Sequence, residues 1–309
     1  MQLPFIAGDE IRARLDILGL IEAMRQGHRQ PAPVMERVLM AEPGTDNSFL
    51  VWHAWAPGSM IAVKMGTIFP GNPSLPGPKP AVQAVITAFD GVDGSPVALI
   101  DGTELTYWKT AASSALGADY LARPDATTLL MVGAGGLAPY LAMAHRAVRP
   151  TIDRVLVWNR SRPRADALAA RLGGTVVDDL DAAVAQAEVV CAATAATEPL
   201  IHGAVVRPGT HLDLVGGFTP EMRESDDEVA RRARLFVDAA MFNIDHCGDL
   251  CQPIASGLRS RDDVEADLFG LCRGEHPGRT SADDITLYKS GGGAHLDLMA
   301  TRFAMETLT

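Results

Sequence analysis

Thr128-Leu-Leu-Met-Val-Gly-Ala-Gly-Gly-Leu-Ala-Pro-Tyr-Leu-Ala-Met-Ala144 is the stretch on which the fold turns. Residues 129–132 form a short apolar run, the mark of a strand buried on both faces of a parallel sheet. Gly133, Gly135 and Ala138 then occupy the fixed places of a G-x-G-x-x-G/A turn, with Gly136 and Leu137 between the last two. An Ala-rich, helix-prone segment follows. In this pattern Gly133 permits a tight turn, Gly135 lets the backbone approach a pyrophosphate, and Ala138 lets helix and strand pack closely. The first N–H groups of the helix would then face the anion. An ordinary strand-to-helix turn fits the same motif, so its context has to decide. A second apolar strand, residues 154–158, follows at the distance a βαβ unit needs.

The end of that second strand reads Val157-Trp-Asn-Arg-Ser-Arg-Pro-Arg164. A site for NAD usually places an acid here to accept bonds from the ribose 2′-OH. This chain has neutral Asn159 followed by Arg160, Ser161 and Arg164, and arginines fork onto a 2′-phosphate. These four are candidate cofactor contacts, and the expected cofactor is NADPH, with NADH still open. A solvated basic helix start is the alternative.

Farther along, apolar runs at 175–177, 188–193, 210–215 and 234–238 alternate with helix-prone segments. That rhythm predicts a doubly wound parallel sheet of the Rossmann type. Ligands of such sheets lie at the carboxyl ends of the strands, so Thr194, Val215 and Gly216 are candidates for the nicotinamide end. Residues 224–234 and 264–271 are expected to form amphipathic helices. Residues 296–308 read as a last helix that returns to the first domain.

The first hundred residues are strand-rich and not βαβ. A helix is expected over 9–26, capped by Asp9, then strands near 34–40, 49–55, 59–65, 82–89 and 96–100. Residues 69–80, dense in Pro and Gly, should be a fixed loop. From Glu104 the chain turns helical, with Thr106 as the cap. The fold class is therefore α/β: a Rossmann sheet plus an α+β strand-rich domain. The expected boundaries are 1–112 with 295–309, and 113–294.

Composition narrows the function. With 309 residues, 47% apolar and 21% charged, the chain has ample core material for two domains. A net charge of −11 argues against a phosphate-backbone partner, so no nucleic acid is expected. Four scattered cysteines make no disulfide scaffold. Cys247 and Cys251 share a helical spacing beside His246, but nothing completes a zinc site, and no metal is expected. No signal peptide or membrane span is visible, so a cytoplasmic location is expected.

Isolated cations among apolar strands are the chemical clue in the first domain. Lys64 lies in Met60-Ile-Ala-Val-Lys-Met, Arg37 in Val34-Met-Glu-Arg-Val-Leu, and Lys109 in Thr106-Tyr-Trp-Lys-Thr-Ala-Ala. A cation in apolar surroundings needs an anion, supplied by protein or by ligand, and both sources are open.

Six stretches taken together carry a resemblance. They are Lys64-Met-Gly-Thr-Ile-Phe-Pro-Gly-Asn72, Thr106-Tyr-Trp-Lys-Thr-Ala-Ala112, Leu121-Ala-Arg-Pro-Asp-Ala126, Gly133-Ala-Gly-Gly-Leu-Ala138, Thr197-Glu-Pro-Leu200 and Ser290-Gly-Gly-Gly-Ala-His-Leu-Asp-Leu298. In this order the chain resembles the ornithine cyclodeaminase/μ-crystallin family over nearly its whole length. The resemblance implies a dimerisation domain completed by the C-terminal helix, an NAD(P)-binding Rossmann domain, and a homodimer. It also implies that Arg37 and Lys64 bind a substrate carboxylate, with Lys109 and Asn72 in the same pocket and Lys64 and Lys109 as the catalytic pair. His295 is implied near the cofactor, although a helix-start histidine bonded to backbone reads equally well.

Two departures discriminate within the family. Position 109 is usually Arg there, and Lys109 keeps the charge but not the fork. Cyclodeaminases carry an Asp where this chain has Phe218, and a phenyl ring handles no proton. Cyclodeamination is therefore disfavoured. The resemblance points to an NAD(P)H-dependent reductase of a small cyclic imino acid, most closely Δ1-pyrroline-2-carboxylate to L-proline, with Δ1-piperideine-2-carboxylate to pipecolate alongside. An alanine-dehydrogenase type enzyme and a non-catalytic NADPH-holding protein of μ-crystallin type remain the rivals. One methylene of ring size, worth about 1–3 kcal/mol, is below what the sequence resolves.

Overall fold

Strand pairing sorts the chain into two sheets. The computed structural model describes residues 3–308 and divides into unit 1, up to Lys109 and again from Gly293, and unit 2, Thr110–Gly292.

Unit 1 opens with β1 (Phe5–Ile6), α1 (Gly8–Arg14) and α2 (Ile17–Arg29). One helix was expected over 9–26, but the chain breaks at Leu15, which is extended. The cause is Asp16, whose carboxylate accepts from Gly19 N at 2.6 Å and starts a new helix. Asp9 lies inside the first turn of α1, and Ala7 takes the cap position without a side-chain bond. Then come β2 (Val34–Ala41), β3 (Ser48–Ala56), β4 (Met60–Ile68), β5 (Val82–Asp90) and β6 (Pro96–Asp101), in the expected places. The sheet order is β1-β6-β5-β4-β3-β2, antiparallel except for β1 on β6. Along β4 burial alternates, so Met60, Ala62 and Lys64 share the inner face.

Helix α3 (Gly102–Leu121) starts four residues before Thr106. Its cap is Asp101, whose Oδ1 accepts from Thr103 N and Glu104 N at 3.0 Å. Thr106 instead donates to Gly102 O within the helix. The unit boundary falls inside α3. The last helix, α11 (Ala294–Leu308), joins unit 1, packing on β3, β4 and α2. Added side chains at Gly19 and Gly27 of α2 would strike Phe303 and Met299 of α11, so both glycines permit that close packing.

Unit 2 contains β7 (Thr128–Val132), α4 (Ala138–Val148), β8 (Arg154–Trp158), α5 (Arg162–Leu172), β9 (Thr175–Val176), α6 (Leu180–Val184), β10 (Val189–Ala192) and β11 (His211–Leu214). After these come α7 (Asp227–Arg232), β12 (Arg234–Val237), α8 (Ala240–Asn243), α9 (Gly248–Ala255), β13 (Val264–Asp267), α10 (Leu268–Arg273) and β14 (Thr286–Lys289). All eight strands are parallel, in the order β13-β12-β14-β11-β10-β7-β8-β9. Chain order reverses between β7 and β10, the switch point of a Rossmann sheet. Leu130, Val132, Val190, Leu212, Leu214 and Leu287 are among its buried core.

Three expectations need correction here. Residues 264–271 begin as a strand, because Asp267 caps α10 at Gly270 N and stops the helix from starting earlier. The helix expected over 224–234 shrinks to α7, capped by Asp226 at Val229 N, and leaves Glu224 buried outside it. Strand β14 was not anticipated, yet it lies between β11 and β12. Among the described residues no helix is long and apolar enough to cross a membrane.

Candidate functional site

The inner face of unit 1 carries a buried charge cluster. Lys64 Nζ lies 3.0 Å and 2.8 Å from the two carboxylate oxygens of Asp297 on α11. Lys109 Nζ lies 3.8 Å from the same carboxylate. All three side chains are at most 10% exposed. Burial pushes the Lys64 ammonium down to about 8; Asp297 pulls it up, and the Lys109 charge adds to the lowering. The anion required by Lys64 is thus supplied in part by the protein. Asp297 was quoted above only as part of a motif. The available signal was a lone acid on an apolar helix face, between Leu296 and Leu298.

Strand register puts Arg37 in the same cross-strand row. Arg37 pairs with Trp52, Trp52 with Lys64, and Lys64 with Ile86. Two strand spacings separate Arg37 from Lys64, roughly 10 Å. The Arg37 guanidinium sits 5.5 Å from the Trp52 ring centre, a cation–π contact. Asn72 works inside its own loop: its Nδ2 donates to Pro80 O at 3.1 Å and its carbonyl accepts from Lys79 N at 3.2 Å. With Phe69 N bonded to Ala81 O, the Pro-rich loop is tied at both base and middle. His295 belongs to the interior of unit 1, edge-on to His28 at 5.3 Å. Burial first, then His28 and Lys109, hold it well below the ordinary histidine range, so it is neutral.

In unit 2 the glycine turn has the geometry an anion site requires. Gly133 has φ +106°, and a Cβ there would sit 2.6 Å from Ala193 O. A Cβ on Gly135 would meet nothing within 4 Å, so the space above it is open. Gly136 is exposed, Leu137 takes the N-cap position of α4 without a side-chain bond, and Ala138 is buried against the sheet. Within α4, Ala138 N donates to Gly135 O, Tyr140 N donates to Leu137 O and Pro139 has no N–H, so the groups that can face an anion are the turn N–H groups of Gly135, Gly136 and Leu137. Asn159 accepts from Ala134 N at 3.2 Å and donates to Ser161 O at 3.0 Å, which ties strand end to glycine turn. Arg160 and Arg164 are exposed and make no ion pair among the described residues, whereas Arg162 is taken up by Asp166 and Asp178, both at 2.9 Å.

At the carboxyl ends of β10 and β11, Thr194, Val215 and Gly216 meet a residue the sequence reading missed. Glu224 Oε1 accepts from Thr194 N at 2.7 Å and Thr194 Oγ1 at 2.9 Å, and its Oε2 accepts from Gly216 N at 2.7 Å. Val215 N bonds to Ala192 O. Behind Glu224, Lys289 Nζ lies 3.2 Å from Asp249 Oδ2 and 3.9 Å from Glu224 Oε2, with none of the three side chains exposed by more than 1%. Burial pushes the Glu224 carboxyl up to about 7, against the pull of Lys289. Burial would lower Lys289, but Asp249 and Glu224 together hold it above its ordinary value.

One group of metal-ligand types occurs among the described residues, His145, Cys191 and Asp213. Asp213 there accepts from Ser114 Oγ, His145 Nε2 and Cys191 Sγ at 2.9–3.1 Å, and burial keeps the thiol protonated. These bonds already use both carboxylate oxygens, which makes the group a hydrogen-bond network. The four cysteines are free thiols.

The family model described as the ornithine cyclodeaminase/mu-crystallin family matches residues 9–309. The chain belongs to that family. It is 43% identical over 309 residues to a Delta(1)-pyrroline-2-carboxylate reductase of Paracoccus denitrificans, covering 98% of this chain and 96% of the relative. A mouse ketimine reductase mu-crystallin is 32% identical over 252 residues, covering 80% and 76% of the two chains. Among solved structures, Delta(1)-pyrroline-2-carboxylate reductase of Thermococcus litoralis, in complex with NADH and L-proline, superposes with a TM-score of 0.93 at 26% identity, covering 99% and 97%.

Proposed function

We propose that the protein is an NAD(P)H-dependent reductase of a cyclic 2-imino acid, with Δ1-pyrroline-2-carboxylate as substrate and L-proline as product. The observation that carries this reading is the Lys64–Asp297–Lys109 cluster, in which two buried cations share one carboxylate. The surplus positive charge suits a substrate carboxylate, which would complete the pairing. Lys64 and Lys109 bind that group, with Arg37 in the same cross-strand row and Asn72 in the tied loop that follows β4. Kinship with reductases named for this substrate supports the assignment.

The glycine turn fits a dinucleotide: open space over Gly135, N–H groups of Gly135, Gly136 and Leu137 that make no bond among the described residues, and two unpaired arginines. Gly133, Gly135, Gly136, Leu137 and Ala138 would hold the pyrophosphate, and Thr194, Val215 and Gly216 the nicotinamide end. Arg160 and Arg164, with Asn159 and Ser161, would hold a 2′-phosphate, which favours NADPH over NADH. When bound, the cofactor supplies the hydride that reaches the imine carbon, while nitrogen gains a proton. Lys64, near pKa 8 and charged at neutral pH, holds the substrate by its carboxylate. His295, neutral and interior in the first turn of α11, is read as packing against His28 of α2 instead of as a cofactor contact.

The test is cofactor oxidation with a panel: Δ1-pyrroline-2-carboxylate, Δ1-piperideine-2-carboxylate, pyruvate with ammonia, and L-ornithine with the oxidised cofactor. Turnover confined to the two cyclic imines is expected, since Phe218 offers no carboxylate for cyclodeamination. Ornithine turnover matching imine reduction, or binding of NADPH without any turnover, would overturn the reading.

A homodimer through unit 1 completes the proposal. Edge strand β2 exposes Val34, Val38, Leu39 and Met40, Met40 at 53%. An apolar, unpaired edge invites a second copy of itself. Val38→Glu with Met40→Glu should convert a dimer to a monomer in light scattering. A wild-type monomer would contradict this.

A further inference from the structure

The turns after β10 and β11 are held by one carboxylate from a distant segment, and this singles out Glu224. Its two oxygens take three bonds: Thr194 N, Thr194 Oγ1 and Gly216 N. No other side chain among the described residues bonds both turns. The turns also touch directly, because a Cβ on Gly216 would overlap the backbone of Thr194 and come 2.5 Å from Glu224 Oε1. Next along, a Cβ on Gly217 would lie 2.8 Å from Asp249 Oδ2 and 3.4 Å from Lys289 Nζ. The backbone of residues 215–217 thus rests on the cluster with no side chain between.

Glu224 is itself anchored. Its own N–H and that of Ser225 both donate to Asp249 Oδ1 at 2.9 Å, and its carbonyl accepts from Leu200 N and Ile201 N. Lys289, at the end of β14, faces both carboxylates. Asp249 Oδ2 and Lys289 Nζ make no hydrogen bond and meet only as an ion pair at 3.2 Å, so the defined geometry of the network rests on the bonds of Glu224 and of Asp249 Oδ1.

We propose that Glu224 is a positioning residue for the nicotinamide end of the cofactor site: it clamps the turns at Thr194 and Gly216 in the one register that presents their backbone to the ring. This rests on the cofactor reading above. Lys289 and Asp249 balance the charge of the clamp and orient it; they lie against Gly217 but make no hydrogen bond to Thr194 or Gly216. Geometry of this order must be held by supporting contacts, because small displacements at a reacting centre cost large factors in rate.

Glu224→Gln and Asp249→Asn make the decisive pair. Each removes one negative charge from the cluster and leaves Lys289 with one carboxylate. Only Glu224→Gln sets an amide NH2 against a turn N–H. NADPH and NADH affinity by fluorescence, cofactor and imine KM, kcat and thermal unfolding are measured on each. For Glu224→Gln, cofactor affinity should fall by at least about tenfold and kcat with it, with imine KM within about twofold and unfolding close to wild type. For Asp249→Asn, cofactor affinity should fall less than threefold, roughly the cost of a minor rearrangement. Equal losses in both variants, or unchanged affinity in Glu224→Gln, would overturn the proposal. If Glu224→Gln fails to fold, Glu224→Asp is read instead. It keeps the charge but is too short to span both turns, so the same cofactor loss is expected, and normal affinity overturns the proposal. A wild-type protein that binds no nicotinamide cofactor refutes the cofactor reading itself, a separate result.

Discussion

Each unit buries a lysine–carboxylate cluster, and the two have opposite surpluses. In unit 1, Lys64 and Lys109 face the single carboxylate of Asp297. In unit 2, the single Lys289 faces Glu224 and Asp249. With every group ionised, the first carries one excess positive charge and the second one excess negative charge. The protein answers the second surplus itself, with N–H groups of Thr194, Gly216, Glu224 and Ser225. For the first, Asp297 is the sole ion-pair partner of both lysines among the described residues. A surplus met by backbone is architecture; a surplus left open is a place for an anion.

The contrast breaks most sharply at the cations. Lys289→Met would strand two buried carboxylates and should cost about 3–5 kcal/mol in urea unfolding. Lys109→Met leaves a one-to-one pair of Lys64 with Asp297, so its cost should stay below about 1 kcal/mol while imine KM rises. Similar stability losses in the two variants would erase the distinction.

Arg160 and Arg164 are a third kind, exposed and with no carboxylate partner among the described residues. Arg160→Ala combined with Arg164→Ala should weaken NADPH about tenfold to a hundredfold and leave NADH within about threefold. Equal loss of both cofactors would remove the 2′-phosphate assignment.

Asp297 sharpens the comparison through pH. Burial lowers Lys64 to about 8 and Asp297 opposes it, so the ammonium is present below that value and lost above it. Imine kcat/KM should be level at neutral pH and fall as pH rises through about 8. Asp297→Asn removes the upward pull, and the falling limb should move to lower pH, about fivefold in rate at pH 8 for the first unit it moves and about tenfold for each unit after that. Lys64→Arg, charged throughout, should move it upward. A limb that stays fixed in both variants would belong to the substrate.

What could be read in advance follows from how each residue is satisfied. Strands β7, β8, β10, β11 and β12 were legible because strands buried on both faces are continuous apolar runs. Strand β14, Thr-Leu-Tyr-Lys, was not, since its polar ends look like loop. They are buried only because Thr286 bonds His211 and Leu121 O while Lys289 meets Asp249. Lys64 stood out as a charge on an alternating apolar strand. Its partner Asp297 lies 233 residues away, and such a pairing leaves no local trace. Glu224 was hidden differently: Glu-Ser-Asp-Asp-Glu-Val-Ala-Arg-Arg carries helix-like charge spacing, and only the Asp226 cap makes the helix start beyond Glu224. Local signals located the glycine turn, whereas tertiary pairing alone revealed which acids serve the charged clusters.

The central claim is that the open positive surplus of unit 1 holds the substrate carboxylate. It is tested by comparing kcat/KM for Δ1-pyrroline-2-carboxylate and for Δ1-pyrroline lacking the carboxylate, in the wild type and in Lys64→Met. The change removes the surplus cation and leaves Lys109 with Asp297 as a one-to-one pair, so no uncompensated charge is buried and NADPH affinity should be retained. The wild type should prefer the carboxylate substrate strongly. In the variant that preference should collapse by at least about a hundredfold, roughly 2.7 kcal/mol, with the carboxylate-free imine nearly unaffected. An undiminished preference in a folded, NADPH-binding variant would contradict the account.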